Sequence, residues 1–86
     1  MTRRVTLSTS AAKDYRNLDP QIRKRIDEEL SVLAIEPFSP AHSKVLVNQG
    51  GTRAGRVGDW RILFVANEET LNVIRIRHRR EVYKNL

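Results

Sequence analysis

The chain has no cysteine, which excludes disulfides and thiolate metal sites and fits a reducing cytoplasm, the location expected for it. Its two histidines, His42 and His78, stand far apart with no acidic cluster around them. No metal and no cofactor is therefore expected. Glycine occurs four times and proline three times, and neither a Gly-Lys-Ser/Thr nor a Gly-x-Gly-x-x-Gly pattern is present. Gly55, Gly58 and the Gly50-Gly51 pair read instead as turn or bulge glycines rather than a phosphate-cradling loop. No apolar run approaches the roughly 20 residues of a membrane span. The opening Arg3-Arg4-Val5-Thr6-Leu7 is too short and mixed to read as a leader, so no membrane partner is expected.

What is present is charge of one sign, unevenly placed. The net charge is +6, and residues 53–86 hold eight bases against four acids, seven of those bases being arginine. Arginine offers a planar fork that grips phosphate through two bonds, whereas lysine serves as well for mere solubility. Such a balance points to nucleic acid, an anionic membrane or an acidic protein partner. Eighty-six residues allow one domain, spanning 1–86, and a core small enough that a partner covering apolar surface is plausible.

The periodicity gives an α+β order. Thr2 to Leu7 reads as a first strand, and Ser8 as N-cap of a helix from Thr9 to Leu18. Asp19-Pro20 restarts a second helix carrying the apolar stripe Ile22, Ile26, Leu30 and Leu33, with Arg23, Lys24, Asp27, Glu28 and Glu29 on its wet side. That helix stops before Pro37. Residues 37–49 look irregular, with a short strand or a helical turn around Lys44 to Val47. Ala54–Val57 and Trp60–Ala66 form a hairpin about Gly58-Asp59, and Leu71–Arg77 follows as a strand. Strict alternation there would set Leu71 and Val73 (with Arg75 and Arg77) on one face, and Asn72, Ile74 and Ile76 on the other. The tail from Arg79 to Leu86 reads as a short helix or an irregular segment. The expected architecture is β-α-α-β-β-β: an N-terminal strand and a two-helix hairpin packed on a twisted antiparallel sheet. Across the hairpin turn Arg56 and Arg61 become neighbours, a like-charge pair that an anion would reconcile. Trp60 reads as core; Tyr83 suits core anchoring and base stacking equally.

Two blocks are then familiar. Arg56-Val57-Gly58-Asp59-Trp60-Arg61-Ile62-Leu63-Phe64 and Ile76-Arg77-His78-Arg79-Arg80-Glu81-Val82-Tyr83 resemble the RelE/ParE toxin superfamily, the RelE branch most closely, and the likeness runs along nearly the whole chain. The resemblance implies the toxin of a type II toxin–antitoxin pair: a metal-independent endoribonuclease cutting mRNA at the ribosome, by attack of a ribose 2′-hydroxyl on the adjacent phosphate. It implies a RelB-like antitoxin as partner in a hetero-oligomer, with mRNA and the ribosome as the other partners. A ParE-like poison of DNA gyrase, or a degenerate module that only binds its antitoxin, are the alternatives.

By the same likeness Arg61 is a phosphate contact and transition-state stabiliser, and Arg56 the second of two basic residues on the preceding strand. Arg79, or Arg77 if the gap falls differently, is the C-terminal catalytic arginine, and Tyr83 the tyrosine that stacks on a base. Arg53, Arg77, Arg80 and Lys84 would bind RNA. The first basic residue of the strand pair falls on Ala54, which leaves the general base unassigned. His78, the histidine beside this arginine cluster, is the candidate for that role.

Overall fold

The computed structural model describes residues 2–47 and 49–84, with the side chains of residues 82–84 outside that description. Its elements run β1 (Arg4–Leu7), α1 (Thr9–Arg16), α2 (Pro20–Ile35), β2 (Ser43–Val45), β3 (Arg53–Val57), β4 (Trp60–Ala66), β5 (Thr70–His78) and α3 (Arg79–Lys84). The expected α+β plan is present, with β2 and α3 added where the sequence left the conformation open. The local signals act as expected. Ser8 caps α1 by accepting the Ala11 N–H at 3.0 Å, and Pro20 opens α2. Asp19 makes no side-chain cap bond, so at that junction the proline alone sets the helix start.

One five-stranded sheet runs in the order β1-β5-β4-β3-β2. β2 to β5 are antiparallel neighbours, whereas β1 lies parallel to β5 with Arg4 opposite Thr70 and Leu7 opposite Val73. The helices cover one face. Ala11, Leu18, Ile26, Leu30 and Leu33 meet Val57, Ile62, Phe64, Leu71, Val73 and Ile76 in a single core. Trp60 packs against its border.

Two local departures from the sequence reading set the site. The β4–β5 register slips between Leu63 and Phe64: Leu63 faces Arg75 but Phe64 faces Val73, so Ile74 is the extra residue of a bulge. Strict alternation therefore fails, and Ile76 turns into the core beside Leu71 and Val73. Gly55 is the second departure. It lies in regular pairing within β3, and a Cβ there would sit 2.8 Å from Leu33 Cδ1. It is thus a glycine of close helix–sheet approach, not of a turn or bulge, while Gly50, Gly51 and Gly58 have the positive φ of turn glycines.

β1 ends at Leu7, yet β5 continues for five more residues, and α1 takes over its edge. The Ser8 N–H donates to the Val73 carbonyl at 2.9 Å, and Ser8 Oγ donates to the Ile74 carbonyl at 2.7 Å. Further on, Asp14 accepts the Ile76 N–H at 3.0 Å and two bonds from Arg75, Nε at 2.7 Å and Nη2 at 3.1 Å. Burial alone would raise the Asp14 pKa. The Arg75 bonds, the Ile76 amide and the nearby Arg75 and Arg77 charges outweigh it and hold the carboxyl below its ordinary value.

Asp14→Asn should accordingly cost about 1–2 kcal/mol, the charge-assisted value discounted because Arg75 is partly exposed. A group with a lowered folded pKa stabilises above its unfolded value, here 3.8, and loses that contribution as pH falls through the folded one. Thermal melting should show the variant's deficit in full near neutrality and shrinking below about pH 4. A deficit independent of pH would mean that packing, not the ion pair, carries the effect.

Candidate active site

Register places the cations before any side-chain detail does. Arg56 on β3 lies directly opposite Arg61 on β4, and Arg61 directly opposite Arg77 on β5. Directly paired residues share a face, so three arginines cross three strands in one row. They alternate with Val57, Ile62 and Ile76, which belong to the core beneath the helices. The row therefore belongs to the opposite face.

Each arginine is held differently. Arg61 is buried, and its Nη1 donates to the carbonyls of Gly58 at 2.8 Å and Trp60 at 2.9 Å. This bond pattern ties the guanidinium to the hairpin turn and fixes its position before any ligand arrives. Arg77 forms an ion pair with Glu81 one helical turn ahead. Its Nε is buried and finds no partner among the described residues. Arg56 is exposed and makes no hydrogen bond or ion pair with another described residue. Of the row, Arg56 is the cation whose side chain makes no bond among the described residues.

Arg56 and Arg61 line a cleft of about 270 Å³ together with Pro40, Ala41, His42, Ser43, Lys44 and Ala54. Its charged lining is cationic throughout. Lys44 sits directly opposite Ala54 in the β2–β3 register, so the strand next door brings a cation beside the position where the RelE-like pattern has one and this chain has alanine. His42 immediately precedes β2 in the turn that begins at Ser39, whose carbonyl accepts the His42 N–H at 3.0 Å. Its Nδ1 lies 3.1 Å from Glu29 Oε1 on α2.

Several expected site residues lie elsewhere. Arg53 was expected on RNA, but β3 has no bulge to re-aim it. It lies opposite the core residue Phe64 and is clamped, with Nε donating to Ser43 Oγ at 2.8 Å and the guanidinium over the Phe38 ring. That is a structural role. His78 pairs with Trp60, not with Arg61, and meets that ring edge-on at 5.6 Å between centroids. It thus lies on the helix-covered side, where its Nδ1 faces the Arg80 N–H at 3.4 Å at the start of α3. The structure does not bring His78 into the cleft, because strand alternation separates it from the arginine row.

Arg79 donates its backbone N–H to the Asp59 carbonyl at 2.7 Å. Its side chain is 3.9 Å from the Asp59 carboxylate, a pair too exposed to hold it firmly. The tail thus leaves β5 over the β3–β4 turn. Arg80 is exposed. The Tyr83 and Lys84 side chains lie outside the described residues.

His42, Glu29 and Lys44 were the residues that sequence reasoning missed. His42 stood in an irregular segment with no visible partner, since Glu29 is thirteen positions away on a helix. Lys44 acquires meaning only once β2 pairs with β3. Among the described residues no group of three His, Cys, Asp or Glu side chains could hold a metal ion, and no helix is long and apolar enough to cross a membrane.

Comparison with known proteins places this arrangement. The sequence model described as the ParE toxin of type II toxin–antitoxin systems matches residues 5–83. The chain belongs to this toxin family, within the RelE/ParE superfamily. No curated protein matches it. Among solved structures it is similar to the RelBE2 toxin–antitoxin complex of Mycobacterium tuberculosis, at 27% identity over 91% of this chain and 99% of that one, with a TM-score of 0.80. A mutant of the E. coli toxin RelE in the free state shares 18% identity over 98% and 93%, with a TM-score of 0.79. The YoeB dimer of Staphylococcus aureus shares 18% over 91% and 98%, with a TM-score of 0.77. At 18% identity the last two establish the fold alone. The family and the expected RelE-like architecture agree.

The sorting of the arginines gives a direct test with single-stranded RNA at a series of salt concentrations. Arg56→Gln should weaken binding and flatten the slope of log K against log salt by about 0.7, one phosphate contact on a single strand. Arg53→Gln should leave that slope unchanged while lowering the melting temperature. Equal slopes for Arg56→Gln and the parent chain would remove Arg56 from the binding surface.

Proposed function

We propose that this toxin is an endoribonuclease of the RelE type that cuts mRNA at the ribosome, and that a RelB-like antitoxin holds it inactive in a hetero-oligomer. The observation that carries this reading is the opposition of Arg56 and Arg61 in a wholly cationic cleft, with Lys44 beside Ala54. Cleavage by the 2′-hydroxyl places growing negative charge on the phosphoryl oxygens as the O2′–P bond forms. Preorganised cations aimed at that charge are the main thing such a site must supply. Arg61 is fixed by the turn carbonyls, so its charge costs no reorganisation when the phosphate arrives. Arg56, exposed and without a side-chain bond among the described residues, fits a contact made to the substrate. Lys44 takes the place of the strand cation that Ala54 lacks.

The tail completes the site in this reading. Arg79 leaves β5 above the same hairpin turn that Arg61 grips. From α3 it and Tyr83 would reach the substrate from the other side, Arg79 on phosphate and Tyr83 stacked on a base. Arg77, Arg80 and Lys84 would add backbone contacts. The antitoxin would cover the basic face and quench its charge. Similar chains solved in toxin–antitoxin complexes support an antitoxin as partner.

A second reading is favoured by one observation: the matching family model is that of ParE. In it the chain poisons DNA gyrase, and the cationic row meets protein or DNA rather than mRNA. Gyrase supercoiling assays with the full chain separate the two.

The ribonuclease reading expects new 5′-hydroxyl ends within coding frames after induced expression in a bacterium. Arg56→Ala, which removes no side-chain bond among the described residues, should reduce their yield about 10²–10³-fold, as for loss of one transition-state donor. Lys44→Ala should reduce it as well, and Lys44→Arg should restore most of it. Intact mRNA together with inhibited supercoiling would decide for the gyrase poison.

A further inference from the structure

His42 and Glu29 have no part in the function described so far. We propose that His42 is the proton acceptor of the cleft and that Glu29 positions it, an inference that rests on the ribonuclease reading above. Three observations converge on the pair.

The first is place. His42 lines the same cleft as Lys44, Arg56 and Arg61. His78, the other histidine, is turned away against Trp60. The second is the hydrogen bond. With Nδ1 at 3.1 Å from Glu29 Oε1, the carboxylate holds the ring proton on Nδ1. Nε2 is left with the lone pair. The third is exposure. The Glu29 side chain is 19% exposed and that of His42 35%, whereas Asp27 and Glu28 beside Glu29 on α2 are exposed. Glu29 has been drawn out of the solvated side of its helix, and His42 remains open to a ligand.

The step balances without any other reagent. His42 Nε2 takes the proton from a ribose 2′-hydroxyl as O2′ attacks the adjacent phosphorus. The O2′–P bond forms and the P–O5′ bond breaks, with its electron pair leaving on O5′. The products are a 2′,3′-cyclic phosphate and a 5′-hydroxyl that draws its proton from solvent. The charged groups facing His42 are Glu29 from α2, Lys44 from β2, Arg56 from β3 and Arg61 from β4. The carboxylate serves the histidine, and the three cations serve the phosphate.

The test uses the full chain, a substrate that the parent chain cleaves, and single-turnover rates. His42→Ala should lower the rate about 10²–10⁴-fold, the usual worth of a general base, with substrate affinity nearly unchanged. Added imidazole should restore part of that rate. Glu29→Gln should reduce the rate less and change its pH profile, with the melting temperature held. Wild-type cleavage by His42→Ala overturns the proposal and leaves the ribonuclease standing. A lost rate that imidazole fails to rescue assigns His42 a structural role and overturns it too. If the parent chain yields no 5′-hydroxyl ends from any mRNA, the ribonuclease reading fails and takes this inference with it.

Discussion

The carboxylate of Asp14 is the constraint on which the arginine-bearing half of the sheet depends. β5 outruns its parallel neighbour β1, and an unpaired edge on an inner strand would leave backbone donors and acceptors unsatisfied near the core. Helix α1 serves as a substitute strand there, with Ser8 meeting two β5 carbonyls and Asp14 meeting the Ile76 N–H. Because Asp14 also grips Arg75 through two bonds, it fixes the strand just beyond the bulge at Ile74. That anchored stretch sends Ile76 into the core and sets Arg77 opposite Arg61. The arginine row is thus registered by a helix on the other side of the sheet.

The same net charge conceals different occupations. Composition counts Arg53, Arg56, Arg61, Arg75 and Arg77 alike, but only Arg56 keeps every donor open among the described residues. Arg53 and Arg75 are structural ties to Ser43 and Asp14. Arg61 has one nitrogen committed to the hairpin turn, and Arg77 is paired with Glu81. A basic patch that looks uniform in sequence is therefore a graded one, from cations tied into the fold to one whose side chain makes no bond among the described residues.

Legibility followed the range of the forces involved. The helix starts at Ser8 and Pro20, the stripe from Ile22 to Leu33 and the turn at Gly58-Asp59 rest on neighbours within a few residues, and they could be read directly. The Arg56–Arg61 opposition was readable for the same reason, since a two-residue turn fixes it. Long-range pairing was not. β2 has three residues and no alternation strong enough to announce itself, so Lys44 beside Ala54 and the His42–Glu29 bond had no local signal. The bulge at Ile74 likewise follows from the packing of β5 between two neighbours. Strict alternation put Ile76 on the wrong face for that reason, whereas His78 was grouped with the arginines through its chain neighbours Arg77 and Arg79 and in the sheet pairs with Trp60.

The parallel pairing of β1 with β5 carries a consequence for how the molecule comes into being. β5 lies between β1 and β4 in the sheet, and Arg4 waits for Thr70 as its partner. During synthesis the first strand therefore emerges long before the residues that complete its side of the sheet, a closure of high contact order. Until β5 is released, β1 and β4 are two separated edges with the core open between them. The strand that finishes the core is also the one that delivers Arg77 to the cationic row and Arg79 to the hairpin turn. Completion of the core and of the arginine row therefore both wait for β5, so a translating ribosome holds a chain with neither until the last fifth has left it.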